Sequence, residues 1–287
     1  MGWILRRRGS LAEYLDCADV LILPRQRSET APPTPVHPAA KLRVGVDLGT
    51  AYLVLVVLDE TGFPLAGEWQ FAQVVRDGLV VDFIGAIDLL RGMKQRMERR
   101  IGRELTHAAS GYPPGVPLVE VQATGHVLEA AGMHCSGLID EPTAANNVLG
   151  LQDGVIVDVG GGTTGIALLR EGKVVRTADE PTGGTHFSLV VAGALNIPFE
   201  EAEALKITPG EQLRLLPVVR PVVEKVASIV MRHLPDREAT SITLVGGTSA
   251  FQGMAEAVGN YTGIPTRVPN HPMWVTPLGL ALHDPAQ

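Results

Sequence analysis

VDVGGGTTGIALL, residues 157–169, decides the fold when it is set beside VGVDLGT at residues 44–50. Each stretch is an apolar run ending in Asp, a glycine turn carrying Thr, and a second apolar run, Tyr52 to Leu58 after the earlier copy and Gly165 to Leu169 within the later. A further turn, Glu60-Thr61-Gly62 or Glu171-Gly172, leads each copy into another strand-like piece. Meeting this unit twice predicts two related halves rather than a solenoid. Helical patterns separate the strands: Ile84, Ile87, Leu90, Met97 and Ile101 over 83–101, and Val222, Val226, Ile229, Val230 and Leu234 over 222–234. Further strands are expected at Leu105 to Ser110, Leu138 to Asp140 and Ile242 to Val245. Mixed strands and helices in two similar halves predict α/β lobes with a cleft between them.

The 287 residues correspond to about two domains at ~150 residues each. Net charge is −7, from 24 basic and 31 acidic side chains, and no stretch gathers enough Lys and Arg to track a phosphate backbone, which argues against nucleic acid as a partner. The longest apolar run, Tyr52 to Leu58, is far short of the ~20 residues a membrane helix needs. At the amino terminus Trp3, Ile4 and Leu5 precede Arg6, Arg7 and Arg8, the reverse of a signal peptide's order, and Arg6 stands where a myristoylation signal has Ser or Thr. Only Cys17 and Cys135 are present, which excludes a disulfide scaffold and fits a reducing cytoplasm. Residues 24–40 contain five prolines and read as a stiff linker. Ahead of it, Ser10 and Glu13 form a capping box for a helix with Leu11, Tyr14, Leu15, Ala18, Leu21 and Ile22 on one face. A lone helix of that length is marginal in water, so its stripe needs a partner. The expected organisation is therefore a leader and linker over 1–40, a first lobe over 41–151 and a second over 152–287.

Glycine turns after buried strands let the backbone approach a ligand and aim several N–H groups at an anion. Gly49-Thr50 and Gly160-Gly161-Gly162-Thr163-Thr164 are two such turns, each following an Asp that ends a strand. Two donor loops and two carboxylates suit a polyphosphate with a metal ion. Asp47 and Asp158 would hold Mg²⁺ through its waters, since that ion dehydrates reluctantly. Either turn alone reads equally well as an ordinary hairpin; the pair together points to the ligand.

VGVDLGT and VDVGGGTTGIALL resemble the two phosphate motifs of the Hsp70/actin/sugar-kinase superfamily. IDEPTAANNVLGL at 139–151 resembles its first connecting motif, VGGTSAFQGM at 245–254 its adenosine motif, and TPLGLAL at 276–282 its second connecting motif, all in the family's order. Gly183 to Phe187 and Glu203-Ala-Leu-Lys206 resemble smaller segments of the same superfamily. VVRDGLVVDFIGA at 74–86, HAASGYPPG at 107–115 and ADEPTGGTHFSL at 178–189 are similar to the EutJ family, short Hsp70-like proteins encoded with ethanolamine-utilisation microcompartment genes. The resemblance implies a two-lobed actin-like, ribonuclease H-like α/β fold with reduced insertions. It also implies that Asp47 and Asp158 organise Mg²⁺, that Gly49, Thr50 and Gly160 to Thr164 clamp the phosphates, and that Gly184, Glu203, Lys206, Gly246 and Gly247 contact the nucleoside end. Glu141 would orient the attacking water, with Asp47, Asp158 and Thr163 beside it in the catalytic set; its bland alternative is a helix-start acid ahead of Pro142.

The function implied is an ATP-binding, slowly ATP-hydrolysing chaperone or assembly factor for a cytoplasmic microcompartment, with shell proteins or ethanolamine-utilisation enzymes as clients. The alternative is an actin-like scaffold or filament with little turnover; a sugar kinase or exopolyphosphatase fits the EPTAA and Gly-Gly-x-x-Phe patterns less well. No counterpart of the Hsp70 phosphate lysine is found, and Ala51 and Tyr52 stand where Hsp70 has polar residues. The leader reads either as an encapsulation-type docking helix or as one folded back on its own body. The remaining signals are bland: eight scattered histidines, a loop or core pair His134-Cys135, packing aromatics including Trp69 and Trp274, and a solvated arginine face over Arg91 to Arg103.

Overall fold

Every residue from Leu53 to Leu58 is buried, as befits a strand covered on both faces, and the chain builds outward from that strand. The structure is a computed structural model that describes residues 10–76, 79–234 and 239–287; Trp3 to Arg8, and Asp77 and Gly78 of the 74–86 stretch, lie outside the described residues. It divides into two units, Met1–Gly150 with Trp274–Gln287, and Leu151–Met273.

The first unit runs α1 (Leu11–Leu21), β1 (Ile22–Pro24), α2 (Arg25–Ser28), β2 (Leu42–Leu48), β3 (Tyr52–Asp59), β4 (Pro64–Phe71), β5 (Val75–Arg76), β6 (Leu79–Val80), α3 (Phe83–Ile101), β7 (His107–Tyr112), α4 (Leu118–Ala130), β8 (His134–Asp140) and α5 (Glu141–Leu149). Its sheet has the order β1-β4-β3-β2-β7-β8, with β3 antiparallel to both neighbours and the other pairs parallel. The second unit runs β9 (Gly154–Val159), β10 (Thr164–Arg170), β11 (Lys173–Glu180), α6 (Gly184–Leu195), α7 (Phe199–Ile207), α8 (Pro209–His233), β12 (Ile242–Val245), α9 (Met254–Thr262) and β13 (Thr266–Arg267). Its sheet order, β11-β10-β9-β12-β13, reproduces β4-β3-β2-β7-β8 with the same directions, so the repeat read from the two Asp-glycine turns is a repeat of whole sheets. A last helix, α10 (Val275–His283), belongs to the first unit.

The structure departs from some of the expectations read from the sequence. The carboxyl-terminal residues, expected with the second lobe, pack in the first unit: a β-carbon on Gly45 would lie 2.5 Å from Ala281 N, and Leu42 and Gln287 exchange backbone hydrogen bonds of 2.9 and 3.1 Å. Only a glycine on β2 lets α10 come that close. Separate in the expected organisation, the leader lies in the first unit, which is the folded-back one of its two readings. Tyr14, Leu15 and Ala18 are buried, the Tyr14 hydroxyl donates to Gly62 O at 2.6 Å, and β1, pairing Ile22 to Pro24 with Gly67 to Trp69, leads into α2, which forms within the stretch read as linker. The capping box expected for this helix forms, with Ser10 N donating to Glu13 Oε2. Helix α8 begins well before residue 222 and contains Pro217 and Pro221. Both prolines are on its exposed face, where water can satisfy the carbonyls they leave, while Leu215, Val219, Val222 and Val223 anchor the other face.

The arginine stretch in α3 is also not wholly solvated. Arg96 forms a forked ion pair with the fully buried Glu68, Nη2 to Oε1 being 2.6 Å, and Arg100 is buried and donates to Leu21 O and Gly67 O at 3.0 and 3.2 Å. Helical periodicity places these two on one face but says nothing of a carboxylate from β4.

Candidate functional site

In the second unit, β9 is apolar and buried until Asp158, which is 7% exposed and sits between Gly165 of β10 and Val245 of β12. The turn that follows closes with Gly160 N donating to Thr163 O at 3.0 Å. Its carbonyls hold the start of α6: Gly184 N donates to Gly160 O at 2.9 Å and Thr185 N to Gly161 O at 2.8 Å. Thr248 Oγ1 donates to Gly160 O at 2.8 Å. The turn, the amino end of α6 and the loop after β12 therefore form one backbone cradle around the Asp158 carboxylate. Its glycines are steric necessities. A β-carbon on Gly183 would lie 2.7 Å from Gly160 O, and one on Gly184 2.4 Å from Thr248 Oγ1. Gly246 has φ +85°, and its β-carbon would lie 2.3 Å from Asp158 Oδ1. Gly247, next along, is exposed. The Thr164 hydroxyl donates to Thr182 O at 2.6 Å in a fully buried position, so it braces the turn from within.

Glu203 and Lys206 stand side by side on α7, Nζ to Oε2 being 2.7 Å, with side chains about nine-tenths buried. Lys206 Nζ also donates to Gly184 O at 3.2 Å, and Ser188 Oγ to Glu203 Oε2 at 2.5 Å. Burial lowers the Lys206 pKa from its ordinary value, and Glu203 opposes that shift. The pair thus fastens α7 to the first turn of α6 and fixes the rim next to Gly184.

In the first unit, β2, β7 and β8 run parallel and end together, with Gly45 beside Ala109, Val46 beside Ser110, and Tyr112 beside Asp140. The buried Ser110 hydroxyl donates to Val46 O at 2.7 Å and locks that register. Asp47, Gly49 and Thr50 follow at the end of β2, each partly exposed, with a β-carbon on Gly49 excluded by Tyr52 O at 2.7 Å. Glu141 opens α5 at the end of β8. The N-cap is Asp140, whose Oδ1 accepts from Thr143 N at 3.0 Å, and Glu141 is the first-turn acid ahead of Pro142, as its bland alternative had it. The Tyr112 phenol is pushed up by burial and by the Asp140 charge. Carboxyl ends of parallel strands are where α/β sheets receive ligands, and all four residues are there.

The structure thus gathers Asp158, Gly160 to Thr164, Gly184, Glu203, Lys206, Gly246 and Gly247 in one unit, and Asp47, Gly49, Thr50 and Glu141 at one sheet end of the other. Ser188, Thr248 and Asp140 were not singled out by sequence reasoning. Thr248 follows Gly246-Gly247 directly and was within reach of that motif, whereas Ser188 lies one helical turn after Gly184 and has no local signature. Among the described residues no three His, Cys, Asp or Glu side chains gather as a metal cage. Within each unit one strand-end carboxylate, Asp47 or Asp158, stands beside its glycine turn, which suits an ion that keeps its waters rather than one fully ligated by protein.

Two sheets of the same order, each with an Asp-glycine turn at the strand end, are the actin-like ATPase fold. The MreB/Mbl protein family matches residues 66–215 and the cell division protein FtsA family residues 155–279. The structure of MreB5 of Spiroplasma citri bound to AMPPNP is similar, with a TM-score of 0.70 at 17% identity over 85% of this chain and 96% of that one. Ethanolamine utilization protein EutJ of Escherichia coli K12 is 42% identical over 86% of this chain and 88% of its own. The crystal structure of EutJ from Carboxydothermus hydrogenoformans has a TM-score of 0.86 at 46% identity, covering 95% of this chain and 99% of that chain. The chain belongs to the EutJ family of ethanolamine utilization proteins.

Proposed function

We propose that this protein binds Mg-ATP and hydrolyses it slowly, and that it acts as an Hsp70-like chaperone or assembly and reactivation factor for the ethanolamine-utilisation microcompartment. The observation that carries the reading is the backbone cradle around Asp158, where Gly183, Gly184 and Gly246 each stand too close to a neighbouring segment to carry a side chain, so bare backbone surrounds the carboxylate. Such a surface brings backbone N–H groups close to phosphate oxygens. Asp158 and Asp47 would hold Mg²⁺ through its waters, and that ion, when bound, would neutralise phosphate charge. Gly160 to Thr163, with Gly49 and Thr50, would bind the phosphates; the rim at Gly184, braced by Glu203 and Lys206, and the exposed Gly247 would face the nucleoside. Glu141 would accept a hydrogen bond from the attacking water and align it. Shell proteins or ethanolamine-utilisation enzymes are the proposed clients, and the family name is what supports that context.

Calorimetric titration with Mg-ATP and Mg-ADP is expected to show saturable binding that Asp158→Ala removes; no binding by the wild-type protein would refute the reading. Glu141→Gln is expected to retain ATP and to lose ~100-fold in turnover. The match to the MreB/Mbl family over 66–215 favours a second reading, a nucleotide-dependent scaffold. ATP-dependent sedimentation of the full chain, with negligible phosphate release, would select it.

A further inference from the structure

The position of Glu141 is set by a gap. A methyl group on Gly111 of β7 would lie 3.2 Å from Glu141 Cγ and 3.1 and 3.2 Å from the two terminal carbons of Leu280 on α10. Contacts that short force a neighbour to move, so the Glu141 stem and the Leu280 isobutyl group both rest over the bare backbone of residue 111. Neither Leu280 nor the strand beneath can easily give way. Leu280 is fully buried, and α10 is held against β2 at Gly45 and against α5 at Gly279, whose β-carbon would lie 1.8 Å from Ala144 O. The strand is pinned on one side by Ser110 to Val46 O and on the other by the pairing of Gly111 with Ile139 and Tyr112 with Asp140. With Leu280 buried and the strand paired on both sides, the Glu141 side chain, partly exposed at the first turn of α5, is the group that a methyl at residue 111 would displace.

We propose that Gly111 and Leu280 are positioning residues: they set the angle at which Glu141 leaves the start of α5, and so align its carboxylate for hydrolysis. The inference rests on the role of Glu141 given above. Gly111 has a backbone φ outside the left-handed region, so the glycine serves space and not conformation. A displacement of a few tenths of an ångström at Cγ becomes about an ångström at the carboxylate, a shift able to slow a positioned reaction by tenfold or more.

The test compares wild type, Gly111→Ala, Leu280→Ala, the double variant and Glu141→Gln for ATP turnover, Mg-ATP affinity, melting temperature and the carboxylate ¹³C resonance of Glu141, assigned by its loss in Glu141→Gln. Gly111→Ala is expected to lower kcat by roughly tenfold with affinity within twofold, and to shift the Glu141 resonance. Leu280→Ala in that background opens room for the methyl group. It is expected to restore most of the rate and the resonance position while lowering the melting temperature further. A merely structural role predicts the opposite order, with the least stable variant the slowest. The inference is overturned if Gly111→Ala leaves the Glu141 resonance unmoved, or if it hydrolyses at the wild-type rate while Glu141→Gln is inactive. Equal rates in wild type and Glu141→Gln would instead remove the hydrolytic role on which it rests.

Discussion

A β-carbon at residue 246 would have to share space with Asp158 Oδ1 at 2.3 Å, on a backbone already at φ +85°. Gly246→Ala is therefore expected to cost roughly 1–3 kcal/mol in the strained backbone and to abolish nucleotide binding, read from urea denaturation and calorimetry. Lys206 makes a different point. Lys206→Met leaves Glu203 buried with Ser188 as its hydrogen-bond donor, and removing one partner of a buried ion pair costs about 3–5 kcal/mol; chemical denaturation should show a loss of that order. The glycines and the two strand-end aspartates were legible in the sequence because the same glycine turn after an apolar run occurs twice. The roles of Asp140 and Ser188 were not. One depends on which of two adjacent acids caps a helix, and the other on a contact across two helices that no local pattern encodes.

Helix α1 shows where periodicity stops. Its capping box and apolar stripe are plain in the sequence, but the surface that covers the stripe is supplied by Gly62, Arg100 and β4, far along the chain. Tyr14 offers a pH test of that docking. Burial, and secondarily the charge of Asp59, hold its phenol well above the ordinary value of 10. Above pH 10 the unfolded chain releases this proton before the folded one does, so stability is whole below that pH and falls as pH rises past it. Tyr14→Phe should lose about 1 kcal/mol at neutral pH, from the bond to Gly62 O, yet melt with a flatter alkaline limb than wild type. The contact between α10 and α5 admits no such adjustment. With Ala144 O 1.8 Å from where a methyl would sit, Gly279→Ala is expected not to yield folded protein, judged by circular dichroism and solubility.

Over the whole molecule, the chain leaves the first unit after Gly150 and rejoins it at Trp274, whose indole Nε1 donates to Asp19 of α1 at 2.9 Å. A ligand that binds the folded chain and not the unfolded one raises its melting point by an amount that grows with the logarithm of ligand concentration. Mg-ATP at a thousand times its dissociation constant should add about 4 kcal/mol of apparent stability, seen as a concentration-dependent shift by calorimetry and absent in Asp158→Ala. Arrangement at this scale was only partly written in the sequence. The two related halves followed from the repeated turns, whereas the return of residues 274–287 to the first unit depends on Gly45 meeting Ala281 and Gly279 meeting Ala144 across distant segments, which pattern alone does not pair.

Strand β1 sits on the outer side of β4, with Ile22 to Pro24 against Gly67 to Trp69. A version shortened to begin at the first Asp-glycine stretch would uncover those backbone donors and acceptors and offer them to the same edge of another molecule. Such a fragment would stick to itself whether or not nucleotide were added. Pelleting by a trimmed chain is therefore no sign of ordered polymer, and only the protein with its leader in place can report on assembly.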